Sequence, residues 1–260
     1  MIPPILRDKK HRASSVFRPE NLLREARRQK TLPKGRVPSV CLLDPDGDIV
    51  RMLRRERRAR LEPAWACYHT ELFRFDLGDM EAGIIGCAVG ASFAVLLAEQ
   101  LFASGCELLV SVTSSGQIDP LLPAPCFVLV EKALRDEGTS YHYLPASDFS
   151  FLLPRLSRAL RGGFGALPQP VVRGSTWTTD APYRETSHAI RTARRLGISA
   201  VEMECAALYA FSTARKRPVV CLAHVTNQMA VEHGDFEKGR DNGAHDALAA
   251  VEAVIKRIRR

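Results

Sequence analysis

The chain has no apolar run close to the roughly 20 residues that span a bilayer, and no apolar segment of the secretory type follows its basic N-terminus. Both absences point to a cytoplasmic protein that does not engage a membrane. Cysteine is scattered rather than grouped. The seven residues at 41, 67, 87, 106, 126, 205 and 221 contain no C-x-x-C pair and lie mostly inside apolar segments. They are expected to be reduced core residues, not disulfides or metal ligands. The seven histidines show no ligand spacing either, so no metal is expected. No aromatic residues interleave with the basic ones in a nucleic-acid-binding pattern, and no nucleic-acid motif is present. Internal repeats and low-complexity linkers are also missing.

What is present fits a globular chain with a substantial core. A length of 260 residues allows one large α/β domain or two small ones, and a hydrophobic fraction of 46% is ordinary for either. The formal charge of +8 is unevenly placed. Residues 1–36 carry eleven Lys or Arg and three acids, a surplus that equals the charge of the whole chain. Basicity therefore belongs to an N-terminal extension, residues 1–36, expected to be a solvated arm or one that packs on a neighbouring subunit. A domain of residues 37–260 follows.

Within that domain, strand patterns alternate with helical ones. Strands are expected at 37–43, 66–75, 83–87, 107–112, 126–130, 171–178, 200–203 and 219–225. Helices are expected at 49–60, 91–103, 151–160, 187–196, 205–215 and 241–260, with one more at 20–29 in the extension. Gly105 and Gly197 sit where C-terminal caps belong. The alternation predicts an α/β domain with a largely parallel or mixed sheet.

The stretch Ala200-Val201-Glu202-Met203-Glu204-Cys205-Ala206-Ala207-Leu208-Tyr209-Ala210 places two carboxylates in an almost wholly apolar run. A buried carboxylate needs partners or shifts its pKa. The run begins strand-like and becomes helical, so Glu204 falls near a strand-to-helix junction, where α/β proteins commonly bind ligands. Such a carboxylate can accept both O–H groups of a vicinal diol, as on ribose. The competing reading is a salt-bridged structural pair at the end of a core strand.

Several motifs converge with this one. Gly86-Cys87-Ala88-Val89-Gly90-Ala91-Ser92 enters a helix. Val110-Ser111-Val112-Thr113-Ser114-Ser115-Gly116 ends a strand in hydroxyls. Glu137-Gly138-Thr139-Ser140-Tyr141 and Thr178-Thr179-Asp180-Ala181-Pro182-Tyr183 follow in order. Together with Val201-Glu202-Met203-Glu204 they resemble the nucleoside phosphorylase superfamily of the uridine and purine phosphorylase type, over residues 37–260. The resemblance implies a single three-layer α/β/α domain around a twisted mixed β-sheet, assembled as a homo-oligomer, a dimer or hexamer. It implies a pentosyltransferase that attacks the anomeric carbon of a nucleoside with loss of the base. Inorganic phosphate is then a co-substrate and no cofactor is needed. The partners are the nucleoside, phosphate and copies of the chain, with no membrane or nucleic acid.

The resemblance also assigns roles. Glu204 would bind the 2′ and 3′ hydroxyls, Met203 would pack on the sugar, and Glu202 would lie close by. Carboxylates there favour the positive charge of an oxocarbenium-like transition state. Tyr183 matches an aromatic position beside the base, while Pro182 stands where phenylalanine usually stacks. Ser114, Ser115 and the Gly116 N–H would form the anion-accepting loop. The family's arginine before that loop is replaced by Ser111, with Arg74 and Arg184 as candidate substitutes. The family's Gly-Asp-Pro-x-Arg turn has only a loose counterpart in Asp44-Pro45-Asp46-Gly47-Asp48, where acids stand at an anion site. Asn227 takes the place of the aspartate that protonates purines, with His224 and His233 as nearby alternatives for proton transfer. An amide donates a hydrogen bond but is no general acid at neutral pH. This favours a pyrimidine or 6-oxopurine nucleoside. Two alternatives share the fold: a nucleosidase using water, motivated by Ser111, and a catalytically weak nucleoside-binding or sensor protein.

Overall fold

A computed structural model describes residues 3–228, 238 and 240–259, with the backbone alone for 227, 228 and 240. The elements in chain order are α1 (Pro19–Gln29), β1 (Val40–Asp44), α2 (Asp48–Arg55), β2 (Arg60–Leu61), β3 (Phe73–Leu77), β4 (Met80–Gly86), α3 (Ala91–Ala103), β5 (Leu108–Gln117), β6 (Cys126–Asp136), α4 (Ser140–Tyr143), β7 (Phe149–Phe151), α5 (Pro154–Ala159), β8 (Val171–Thr179), α6 (Ser187–Arg195), β9 (Ala200–Glu202), α7 (Cys205–Arg215), β10 (Val219–Gln228) and α8 (Ala244–Arg259).

The strands form one mixed sheet in the order β10-β6-β8-β9-β5-β1-β4-β3-β2, with β7 on β6. β5 pairs with both β10 and β9, so β5, β10, β6, β8 and β9 close into a ring. The cause is the length of β5. Its residues lie parallel to β10 up to Ser115 and, past an irregularity, at Gln117 opposite Gln228, while Gly116 and Gln117 also pair with Val201 and Ala200 of β9. Helices cover both sides of the sheet. The expected α/β architecture is therefore present, with ring closure as a feature not anticipated.

Strand β1 and the first halves of β5, β6 and β10 are mostly apolar and buried on both faces, as strands beneath two helical layers must be. Helices α3 and α7 have nearly all-apolar sequences and pack against each other at the core. No helix among the described residues is long and apolar enough to cross a membrane.

Three expectations need correction. The run 66–75 becomes a strand only from Phe73, and Trp65–Cys67 instead pack as irregular chain in the core. The helix expected at 151–160 is shortened to α5, because Phe149–Phe151 joins the sheet beside β6 and Pro154 starts the helix. The basic extension is not solvated throughout. Leu23 and Ala26 of α1 bury against Ala66, with Leu32 and Ala103 around them, on the chain's own body.

Candidate active site

The junction of β9 and α7 is built by a network that begins with Glu202. Its Oε2 accepts the backbone N–H groups of Glu204 (2.6 Å) and Cys205 (2.7 Å). Its Oε1 accepts the Thr178 hydroxyl at 2.5 Å, and the same hydroxyl oxygen accepts the Ala206 N–H at 2.9 Å. A carboxylate and a hydroxyl thus satisfy the first N–H groups of α7, and the positive end of the helix favours the charge. Glu202 was expected beside the sugar. Both its oxygens instead serve the start of the helix, and it is buried.

Glu204 turns the other way. It is 1% exposed, and its Oε1 accepts the Gly90 N–H at 2.7 Å in the turn between β4 and α3. Its Oε2 is buried and has no hydrogen-bond partner among the described residues, the nearby Thr113 hydroxyl donating to the Ser114 carbonyl at 3.2 Å. No cation among the described residues forms an ion pair with it. Its carboxyl is pushed up to about 8, chiefly by burial and then by the charge of Glu202. The Gly90 N–H and the Thr113 hydroxyl oppose the rise, and Asp46 adds to it. Gly90 has φ +94° and faces open space, so the turn presents its backbone without a side chain in the way. Met203, between the two carboxylates, is half-buried.

A second wall comes from the turn after β1. Asp44 accepts the N–H groups of Gly47 (3.1 Å) and Val50 (2.9 Å) and fixes the start of α2. Burial raises its carboxyl to about 7, and the neighbouring Asp46 and Asp48 add to the rise. Gly47 is required twice: its φ is +77°, and a Cβ there would meet Cys87 Sγ at 2.7 Å. Asp46 reaches across to β5. Its carboxylate accepts the Ser114 N–H and the Ser114 hydroxyl, each at 2.9 Å, and pairs with Lys238 Nζ at 3.3 Å. Lys238 also pairs with Asp48 at 2.9 Å, and Arg51 pairs with Asp48 at 2.6 Å. These groups surround a cavity of about 20 Å³ lined by Asp46, Thr113, Ser114, His224 and Lys238, among others.

The hydroxyl segment is strand, not loop, because β5 continues through it. Ser115 Oγ and Ser111 Oγ are buried without partners among the described residues, and Gly116 lies in the ladder opposite Val201. His224 sits opposite Ser114 in the β5–β10 register. Its ring stacks on Phe127 with centroids 4.3 Å apart, and its Nε2 meets Gln169 Oε1 at 2.9 Å. Gln169 in turn donates to Asp246 at 2.8 Å. Burial foremost lowers the imidazole to about 4, so it is a neutral, satisfied core histidine.

The expected cation Arg74 is elsewhere. On β3 it pairs with Glu62 and Glu81 and donates to the Arg36 carbonyl at 2.8 Å. β4 and β1 separate it from β5, a span of about 14 Å at normal strand spacing. Tyr183 is 99% exposed in the short turn Pro182–Arg184, and Arg184 is exposed beside it. Asn227 lies on β10 with its side chain outside the described residues, as is all of His233. The structure thus gathers Glu204 with Gly90 and Thr113, and Ser114 with Asp46. Sequence reasoning passed over Asp46 and Lys238 as site residues; the run of acids after β1 was the one available signal for Asp46.

Residues 41–256 match the family model of the phosphorylase superfamily, and the chain belongs to that superfamily. Two solved structures of uridine phosphorylase from Vibrio fischeri ES114 share the fold. One, complexed with 6-hydroxy-1-naphthoic acid, has a TM-score of 0.69 and 18% identity, covering 84% of this chain and 90% of that one. The other has a TM-score of 0.66 and 19% identity, covering 85% and 93%. A curated relative, the uncharacterized protein R802 of Acanthamoeba polyphaga mimivirus, is 33% identical over 122 residues, 46% of each protein. The match spans about half the length of that relative.

Proposed function

We propose that this chain is a nucleoside-cleaving pentosyltransferase: it breaks the N-glycosidic bond of a nucleoside and passes the pentosyl group from the base to an oxygen nucleophile. The observation that carries this reading is the state of Glu204. One oxygen is fixed by the Gly90 N–H, and the other is buried and, among the described residues, has neither a hydrogen-bond partner nor a cation. A structural carboxylate would have both oxygens satisfied, as Glu202 does. An O–H donor pair from a sugar supplies what Glu204 lacks. The anion would then stabilise positive charge developing on the pentose.

Met203 fits as a sugar contact beside Glu204. Asn227 fits as a hydrogen-bond donor to a leaving base that is not protonated by a carboxylic acid, which favours pyrimidine or 6-oxopurine nucleosides. Uridine is therefore the first substrate to try, in keeping with the fold's likeness to uridine phosphorylase. In the superfamily reaction the nucleophile is phosphate; here the Ser114 N–H and hydroxyl that could receive an anion both donate to Asp46. The test is release of free base from uridine, inosine, guanosine and adenosine, each with and without phosphate, followed chromatographically. Base release from at least one of them is expected. Intact nucleoside in every case removes the reading.

A further inference from the structure

We propose that Asp46 occupies the anion cradle of this chain itself, so that the pentosyl group is handed to water and phosphate is shut out. The inference rests on the nucleoside-cleaving reading above and names its nucleophile.

Four observations carry it. First, both donors that Ser114 could offer to an anion, its N–H and its hydroxyl, end on the Asp46 carboxylate at 2.9 Å. The cradle holds an oxyanion, and that oxyanion is part of the chain. Second, the nearby cations are already matched. Lys238 faces Asp46 and Asp48, and Arg51 faces Asp48. A phosphate arriving here would meet carboxylates at close range without an uncommitted countercharge among the described residues. Third, the strand position before the cradle is Ser111, whose buried hydroxyl carries no charge. Fourth, the space left beside Asp46, Thr113 and Ser114 is about 20 Å³. That suits a single water, which needs roughly 10–15 Å³ and two to four polar partners.

In the reaction, the water oxygen forms a bond to the anomeric carbon as the carbon–nitrogen bond breaks. The electron pair of that bond leaves with the base. One proton from the water ends on the base, giving free base and free pentose, with no oxidant or further reactant.

The test uses the full chain and two variants, Asp46→Gly, which empties the cradle, and Asp46→Asn, which keeps the turn and removes the charge. Sugar products are separated into free pentose and pentose 1-phosphate. The wild type should release base at the same rate with or without phosphate and yield only free pentose. Asp46→Gly should be accelerated by phosphate about tenfold or more, as expected on removing a close like charge, and should yield pentose 1-phosphate. A strict phosphate requirement, or pentose 1-phosphate from the wild type, overturns the inference while leaving the nucleoside-cleaving reading intact. Thermal shift with inorganic phosphate gives a readout free of turnover. No shift is expected for the wild type and a positive shift for Asp46→Gly or, should that variant not fold, Asp46→Asn. A wild type stabilised by phosphate as much as the variants would also overturn it. If no nucleoside is cleaved under any condition, the functional reading fails, and the thermal arm still decides who holds the cradle.

Discussion

The carboxylate of Glu202 accepts the backbone N–H of Glu204 at 2.6 Å. One acid therefore fixes the backbone from which the other is presented. The two divide the labour of the junction: Glu202 starts a helix, and Glu204 faces the Gly90 turn with an oxygen to spare.

Replacing Glu202 by Ala should be the more damaging change for the fold. It strips the caps from two N–H groups and leaves the Thr178 hydroxyl without its acceptor. Loss of a buried charged acceptor of this kind costs about 2–4 kcal/mol. Urea unfolding should show a lower midpoint by that amount, with activity falling alongside. An unchanged midpoint would show that the helix start is held by other contacts.

Stability should fall as pH rises through neutrality. The carboxyls of Glu204 and Asp44 stand near 8 and 7 in the folded protein, above their ordinary values of 4.5 and 3.8. The folded protein keeps these protons in a range where the unfolded chain has released them. The stability they contribute is thus complete below about pH 4 and is lost progressively up to about pH 8, by at most ~1.4 kcal/mol per pH unit for each proton. Glu204→Gln should remove the slope between pH 7 and 8 and about halve it between pH 5 and 7. Denaturant titrations at a series of pH values measure this. A Glu204→Gln variant with the wild-type slope would contradict the assignment.

Ionised Glu204 is the form that accepts two sugar hydroxyls. In the free protein that form grows about tenfold per pH unit below the raised pKa. The value of kcat/KM should climb with pH and level off near 8. A profile that is flat between pH 6 and 8 would mean that the charge on Glu204 is not what the substrate needs.

Gly47 tolerates no side chain. Its φ of +77° and the Cys87 sulfur 2.7 Å from a virtual Cβ both oppose one. Gly47→Ala should cost about 1–3 kcal/mol. It should also loosen the Asp46–Ser114 contact, seen as increased hydrogen exchange at the Ser114 amide. Wild-type protection there would show that the turn does not hold Asp46.

Much of the fold was legible because it is local. Helices α3 and α7 begin and end where their apolar pattern and flanking Gly105 and Glu204 place them, and the junction at 203–204 is visible in the switch of periodicity. What escaped is non-local. Nothing near Ser114 in sequence tells that β5 continues to Gln117; the partners that extend it, on β10 and β9, come about 100 residues later. The same holds for the functional side chains. Glu204 stands out as an acid in an apolar run, but that Glu202 would turn back onto its own helix depends on Thr178. Asp46 was legible only as one acid in a turn. Its partner lies 68 residues away, and a contact across a sheet leaves no periodic trace.

The most direct test is kcat/KM of Glu204→Gln on whichever nucleoside the wild type cleaves best, with folding checked by circular dichroism. The account predicts a loss of about 2–4 kcal/mol in transition-state stabilisation, about one and a half to three orders of magnitude in rate, in a protein that folds normally. A variant that folds normally and turns over at close to the wild-type rate would contradict it.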